Sequence, residues 1–185
     1  MGEIEDAIER ADREAFTRQP PKTLKGQIGY LIKQLGSAKA VAREIGVTAD
    51  SVNRYRRGAR KHARPDVAAK INDAVRQRWQ PQVRKRRQKL AATATGITVE
   101  TRARFGYTAP IGTTDDGRFR RLTVHLPPAY AQRLFDARDT GAGDQEMRGI
   151  IAEGLKEIYF QDGGTRAMGL SDVTLNDIDY LDLDY

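Results

Sequence analysis

The sequence predicts an α+β fold that is mainly α-helical, in which a helical domain is followed by a β-hairpin and two further helices. Apolar residues between positions 24 and 57 recur at spacings of three and four, the period of amphipathic helices. Apolar and polar residues instead alternate over 97–107 and 118–126, which is the period of strands. Basic residues concentrate in the helical half, so the two halves differ in chemistry as well as in secondary structure.

The basic charge of the chain is confined to one block. Residues 18–93 hold 20 basic and 4 acidic side chains, a net charge of +16. Residues 1–17 have a net charge of −4 and residues 94–185 a net charge of −5. Such a block is typical of a domain that binds a polyanion. A solvated basic surface without a partner is the alternative.

The composition also excludes several kinds of site. The chain has no cysteine, so it cannot form disulfides, thiolate zinc sites or cysteine nucleophiles, and a reducing cytoplasm is the simplest compartment. Its two histidines, His62 and His125, lie in a basic stretch and in a strand-like run, and neither suggests a metal site. No apolar run of about 18 residues is present to cross a bilayer. We therefore expect a cytoplasmic protein without a membrane partner.

Breaks in the helical pattern divide the chain into four predicted segments. Residues 1–22 form an acidic lead-in helix that ends at a pair of prolines. Residues 23–95 form the basic helical domain, and the small residues and threonines of 91–96 indicate a linker at its end. Residues 96–160 form the hairpin and its helices. Residues 161–185 form an acidic tail, expected to be mobile because its last fourteen residues hold five aspartates and no basic residue.

Caps and breaks delimit the helices of the basic domain. Thr23, Ser37 and Thr48 each precede a segment with helical periodicity and are predicted N-caps. A glycine follows each of these segments, at the position where a left-handed residue commonly ends a helix. A further helix is predicted over residues 67–79, and a last basic helix begins at Pro81.

Three spacings within this domain indicate a helix-turn-helix at about residues 37–58. Such a motif needs a small residue where the helices cross, a glycine in the left-handed turn and a β-branched anchor in the second helix. Ala42 is the small residue, Gly46 lies four positions later and Val52 ten positions later. A plain helical hairpin is the alternative.

The second helix of this motif would enter the major groove of DNA. Candidates for base contacts are Thr48, Ala49, Ser51, Asn53, Arg54 and Arg57. The amide of Asn53 suits adenine, and the guanidinium groups of Arg54 and Arg57 suit guanine. Candidates for phosphate contacts are Lys39, Arg60, Lys61, Arg84, Lys85, Arg86 and Arg87. Trp79 could stack a base, although a core position on its helix is the favoured interpretation.

A strand followed by two helices characterises the second half. The run Arg121-Leu122-Thr123-Val124-His125-Leu126-Pro127 alternates, and the helices after it are broken at Gly141. This order resembles a ribbon-helix-helix segment, in which paired strands and four helices form a dimer and the outer face of the strand points into DNA. We expect a homodimer, because the last helix has a long apolar stripe made of Met147, Ile150, Ile151, Leu155 and Ile158. A hairpin packed on helices for dimerisation alone is the alternative.

The chain as a whole resembles the telomere terminal proteins of Streptomyces. The resemblance rests on the basic helix-turn-helix half, the loop Gly112-Thr113-Thr114-Asp115-Asp116-Gly117, the length and the acidic end. It implies a protein attached covalently to the 5′ ends of linear chromosomes and plasmids, whose hydroxyl primes the synthesis that fills the terminal gap. It implies telomeric DNA, a telomere-associated protein and a DNA polymerase as partners. On the family's pattern the priming hydroxyl is that of Thr114.

The loop around Thr114 meets the physical requirements of priming. A hydroxyl that must reach a nucleotide in a polymerase needs a protruding, deformable segment, and Gly112 and Gly117 provide that freedom. The resemblance implies that the partner polymerase supplies the divalent metal and the deoxynucleotide, so we expect the chain to need no cofactor of its own and not to be an enzyme itself. Asp115 and Asp116 fit turn formation better than metal binding.

A transcriptional regulator is the competing hypothesis. It would use the same helix-turn-helix together with a dimerising C-terminal half. The sequence separates it poorly from a terminal protein, because a DNA-binding motif does not reveal which process the binding serves. A nucleotide attached covalently to the protein discriminates between the two.

Overall fold

The computed structural model describes residues 2–185, which form eight α-helices and a four-stranded antiparallel sheet. The α+β, mainly helical class predicted from the sequence is confirmed. Contacts divide the chain into two compact units. The helical unit is Phe16–Gln82, and the sheet unit combines the chain up to Ala15 with Val83–Tyr185.

The helical unit contains α2 (Leu24–Leu35), α3 (Ala38–Ile45), α4 (Ala49–Arg57) and α5 (Pro65–Arg78). The three predicted N-caps are confirmed. Thr23 accepts from the backbone N–H of Gly26, Ser37 from that of Ala40 and Thr48 from that of Ser51, at 3.1–3.2 Å. The large buried residues of its core are Ile28, Leu31, Val41, Ile45, Val52, Tyr55, Val67, Ile71 and Val75.

The sheet unit begins with α1 (Glu3–Glu14) and resumes in α6 (Pro81–Leu90), whose first turn contains the boundary between the units. A π-helical turn (Ala91–Thr95) follows α6. The remaining elements are β1 (Ile97–Ala109), β2 (Gly112–Asp115), β3 (Arg120–Leu126), α7 (Pro128–Asp139), α8 (Asp144–Leu155), a second π-helical turn (Lys156–Phe160), a 3₁₀ turn (Asp162–Gly164) and β4 (Asp172–Asp184).

The central strand of the sheet is β1. One edge of β1 pairs with β3 along residues 97–103 and then with β2 along residues 106–109. The other edge pairs with β4 along residues 98–108. Leu122, Val124 and Leu126 point into the core, as predicted, while the residues between them on β3 are exposed. The core lies between this face of the sheet and α1, α7 and α8.

The prediction of a mobile acidic tail is wrong. The last part of the chain is β4, which pairs with β1 over most of the length of both strands. Val173, Leu175, Leu181 and Leu183 are buried in the core, and the aspartates occupy exposed positions between and around them. An alternating strand with one solvated face can carry many acidic residues and still bury its apolar ones.

The unit boundaries also differ from the predicted segments. The lead-in helix α1 packs into the sheet unit, because Ile4, Ala7, Ile8 and Ala11 form one apolar face that is fully buried or nearly so. The expected linker at residues 91–96 is a helical turn with a buried Ala91. The division instead falls after Ala15 and within the first turn of α6.

The apolar stripe of α8 is largely used within the chain. Met147, Ile151 and Leu155 are buried in the core of the sheet unit, and Ile150 and Ile158 pack partly against it. Packing within the chain therefore accounts for this apolar stripe, and a second copy of the chain is not needed to cover it. No helix in residues 2–185 has the length and apolar character needed to span a bilayer.

Candidate nucleic-acid interface and priming strand

The turn between α3 and α4 has the geometry that the residue spacing predicts. Gly46 has a left-handed conformation (φ 71°), which favours glycine, and the backbone N–H of Val47 donates to the carbonyl of Ala42 at 3.0 Å. Ala42 and Val52 are both buried, and α3 packs against α4. These three residues fix the orientation of α4.

The outer surface of α4 carries polar and basic side chains. Within residues 2–185 the side-chain amide of Asn53 makes no hydrogen bond, so both its donor and its acceptor remain available to a ligand. Arg54 forms an exposed ion pair with Asp50, with Nε 2.9 Å from Oδ2, and this contact orients the guanidinium group. Arg56 and Arg57 are exposed.

The other candidates at the start of α4 have local roles. The hydroxyls of Thr48 and Ser51 lie 3.0 Å apart and complete the N-cap. Ala49 packs against the core of the helical unit. Lys39 is exposed at the start of α3. The amide of Asn53 and the guanidinium groups of α4 therefore remain the side chains best suited to reading bases.

A basic cleft of about 650 Å³ lies in the helical unit, beside the N-terminus of α2. Its basic lining residues are Lys22, Lys25, Arg60, Lys61 and His62. Arg60 and Lys61 are predicted phosphate contacts, and the structure places Lys22 and Lys25 in the same cleft. A signal for them exists in the sequence, because lysines flanking a helix N-cap are unfavourable beside the helix dipole unless an anion compensates them.

The basic run of α6 divides into two faces. Lys85 and Arg86 are exposed and remain candidates for phosphate contacts. Arg84 instead forms a nearly buried ion pair, with Nη1 2.6 Å from Glu9 Oε1 and 3.5 Å from Asp12 Oδ2. A guanidinium group enclosed in this way cannot follow a DNA backbone, so its role is structural rather than the predicted one.

Arg87 also faces its own unit. Its guanidinium group lies 3.4 Å from a carboxylate oxygen of Asp184 and 5.5 Å from the ring centre of Tyr185. The period of the helix explains the division, since positions 84 and 87 lie on the face opposite to positions 85 and 86.

Asp12 is the centre of a polar network that the sequence did not predict. Its side chain is fully buried and accepts hydrogen bonds from Gln88 Nε2 at 3.0 and 3.1 Å and from the Tyr185 hydroxyl at 2.7 Å. Arg84 and Arg138 supply positive charge at 3.5 and 3.9 Å. Burial and the neighbouring Asp12 carboxylate raise the pKa of Tyr185, so its hydroxyl stays protonated and can donate.

Thr114 lies on a short strand and not on the expected loop. A two-residue turn at Pro110 and Ile111 joins β1 to β2, and Thr114 pairs directly with Tyr107 of β1. All four residues of β2 are exposed. Pairing with β1 removes some of the predicted freedom, but so short and exposed a strand has few buried contacts to hold it in place.

The side chains near Thr114 are held by specific contacts. Thr113 lies within 3.3 Å of the Thr108 hydroxyl, and Asp115 accepts from Asn176 Nδ2 at 2.8 Å. Asp116 forms a close ion pair with Arg120, and this hydrogen bond lowers the pKa of the Asp116 carboxyl. The aspartates are thus committed to neighbouring residues.

Tyr107 is the other hydroxyl beside Thr114. Burial raises the pKa of the Tyr107 phenol, which therefore remains neutral near pH 7. Its hydroxyl lies 3.5 Å from the Asp116 carboxylate. Within residues 2–185 the Thr114 hydroxyl has no hydrogen bond, so it is the more accessible of the two.

The outer face of the sheet has its positive charges neutralised. Arg102 pairs with Asp179 at 2.6 Å, and Arg104 pairs with Asp177 at 3.4 Å. Arg121 of β3 pairs with Glu100 at 2.5 Å. The ribbon-helix-helix likeness implies that the exposed side of β3 reads DNA. The paired arginines of this face leave little net positive charge to attract a DNA backbone, so the charge distribution does not favour that role.

Trp79 packs within the helical unit. Its ring lies 4.8 Å from that of Tyr30, and its Nε1 donates to the carbonyl of Arg18 at 3.0 Å. These contacts support a packing role over base stacking.

No group of three or more potential metal ligands converges in residues 2–185. The comparisons with known proteins give no assignment: no family model matches the chain, and neither the curated proteins nor the solved structures include a significant match.

Proposed function

We propose that this chain is a DNA-binding terminal protein that docks through α4 and primes end-patching synthesis through the hydroxyl of Thr114. The main observation in favour of DNA binding is the turn at Gly46, which sets the orientation of α4. The unpaired amide of Asn53 lies on the outer side of α4, in a unit of high positive charge. The helical unit holds 15 basic and 4 acidic residues, a net charge of +11. Sequence-specific docking of α4 in a major groove agrees with both features.

The phosphate contacts of the proposed complex come from two regions. Lys39 lies at the start of α3, and the basic cleft with Arg60 and Lys61 lies beside the N-terminus of α2. Phosphates are bound well by lysine and arginine side chains near helix N-termini. These contacts would determine affinity and its dependence on salt, while α4 would determine sequence preference.

Support for the priming part comes from the resemblance and from the exposure of Thr114. In the proposed step Thr114 Oγ forms a bond to the α-phosphorus of a deoxynucleoside triphosphate, and the bond from that phosphorus to the bridging oxygen breaks. Pyrophosphate leaves, and the hydroxyl proton passes to a base of the partner polymerase or to water. The polymerase supplies divalent metal for charge stabilisation. The step takes place at telomeric DNA in a complex with a telomere-associated protein, which would locate the protein at chromosome ends.

Substitutions on α4 are expected to change sequence preference, whereas those at phosphate contacts should not. Asn53→Ala or Arg54→Ala should cost about 1–3 kcal/mol of binding to the preferred site and relax discrimination at one base pair. Lys39→Ala should weaken binding to all sequences alike. The measurement is a set of equilibrium titrations of the full chain against the preferred duplex and single-base variants.

The salt dependence of the same titrations provides a control. About six phosphate contacts give a slope of roughly −5 in log affinity against log salt concentration, and Lys39→Ala should reduce the slope by about one. Affinity that does not change with salt, or equal losses for all three variants on every sequence, would contradict a reading role for α4.

A homodimer is proposed through the outer edge of β3. Within residues 2–185 β3 pairs only with β1, so one row of its backbone groups is unpaired and can add a second strand. Sedimentation of the full chain at tens of micromolar should give the mass of a dimer. Thr123→Lys should shift it toward monomer by placing like charges near the two-fold axis, whereas Gln132→Lys, an equal charge change on α7, should not. If the wild-type chain sediments as a monomer, the proposed ribbon-helix-helix type of dimer is rejected.

A further inference from the structure

A second pocket, in the sheet unit, lies beside Thr114. It has a volume of about 470 Å³ and is lined by Tyr107, Arg120, Tyr159, Phe160, Arg166 and Ala167. Tyr107 is the direct cross-strand partner of Thr114. Side chains of directly opposed residues project from the same face of a sheet, with Cβ atoms about 4.5–5.5 Å apart. Thr114 therefore projects from the same face of the sheet as Tyr107, which lines the pocket.

Aromatic rings form one wall of this pocket. Phe160 contacts Tyr107 and Tyr159 edge to face, at centroid distances of 5.3 and 5.0 Å, and it also packs against the buried Phe105. Phe160 is thus fixed by three rings. Tyr159 is 39% exposed, so part of its ring remains open to a ligand. An open aromatic face can stack any nucleic-acid base.

Arginines form the second wall. Arg166 donates from Nη2 to the carbonyl of Tyr159 at 2.9 Å, which holds the guanidinium group against the backbone of that residue. The side chain of Arg166 is 63% exposed, and its one ion pair within residues 2–185 is with Asp162, at 4.0 Å. Arg120 lies deeper and is held by Asp116. A planar guanidinium group with free donors matches the oxygens of a phosphate.

We propose that this pocket, called here the nucleotide pocket, binds the base and phosphate of the deoxynucleotide that becomes linked to Thr114. The inference rests on the proposed priming function and names the residues that hold the product of that step. The volume lies in the range of pockets that bind small molecules. Stacking on Tyr159 fixes the base, and Arg166 binds the phosphate. The linked nucleotide then presents its 3′ hydroxyl in a defined position for the next addition.

The test is a fluorescence titration of the full chain with the 5′-monophosphate of 2-aminopurine deoxyriboside. Stacking should quench the probe in a saturable way, with a dissociation constant of roughly 1 mM. Tyr159→Ala and Arg166→Gln should each weaken binding by roughly tenfold. Tyr159→Phe should retain binding because the ring remains. Tyr180→Ala and Arg102→Gln make equivalent changes on the outer face of the sheet and should leave the titration unchanged.

Thr114→Val separates this inference from the proposed function, because the variant lacks the nucleophile and should still bind the probe. Absence of saturable quenching, or equal quenching by wild type and Tyr159→Ala, would overturn the nucleotide pocket even if Thr114 is labelled by the polymerase. Quenching that is lost in the pocket variants establishes the pocket even if no label appears on Thr114, and in that case the priming function alone fails.

Discussion

Thr114→Val is expected to abolish covalent labelling of the protein. When the wild-type chain is incubated with the partner polymerase, telomere-associated protein, divalent metal and a labelled deoxynucleoside triphosphate, label should appear on Thr114. Valine has nearly the shape of threonine but has no hydroxyl, so no bond to the α-phosphorus can form. DNA affinity and sedimentation should not change, because β2 is exposed and lies outside the helical unit. Label is measured by mass spectrometry of nuclease-treated protein.

Two neighbouring substitutions serve as controls for labelling. Thr114→Ser should retain part of the activity, since serine offers the same attacking atom in a slightly different position. Thr113→Val should be labelled normally, although it loses the contact with the Thr108 hydroxyl. Label on Thr113 would keep β2 as the priming strand but correct the residue. Label on Tyr107, or no label at all, would contradict the carried-over mechanism and favour a helix-turn-helix transcriptional regulator.

Arg84→Ala is expected to destabilise the sheet unit strongly. The substitution leaves the buried Asp12 and the nearly buried Glu9 without their main cationic partner. Breaking a buried ion pair in this way typically costs about 3–5 kcal/mol, because the remaining charge has lost its solvation and its partner. The measurement is hydrogen exchange of β1 amides in the full chain under native conditions, which reports on the sheet unit separately.

Lys85→Ala is the matched control for this prediction. Lys85 is the next residue of the same helix and is exposed, so its replacement should change stability by no more than about 0.5 kcal/mol. Lys85→Ala should instead weaken DNA binding slightly if α6 runs along a DNA backbone. Equal stabilities for the two variants, together with a loss of DNA affinity in Arg84→Ala, would restore the predicted phosphate-binding role of Arg84.

Two segments show how far apolar spacing alone predicts burial. The buried residues of α1 have the helical spacing of three and four, which indicates a packing face despite the acidic composition of the segment. The apolar residues of β4 alternate with polar ones over 173–176 and again over 181–184, where the polar residues are aspartates. In both segments the pattern of apolar positions was informative, and net charge was misleading, because charged residues occupy only the solvated face.

The sequence by itself determined the local structure of the helical unit. Thr23, Ser37 and Thr48 begin its helices, and Gly46 allows the turn before α4. These features act through hydrogen bonds and backbone conformations that span only a few residues, so they can be recognised without the rest of the chain. The alternation that turns Leu122 and Val124 toward the core is local in the same sense.

Only the tertiary structure decided which segments meet. It pairs β4 with β1, brings Asp12 to Arg84 and Tyr185, and places Thr114 opposite Tyr107. Each of these contacts joins residues whose partners are set by pairing register and packing rather than by neighbouring positions. For this reason the basic residues of α6 divide into two groups: Lys85 and Arg86 are exposed to solvent, whereas Arg84 belongs to the network around Asp12. The physical reason is that burial depends on the surface against which a residue packs, and that surface exists only in the folded chain.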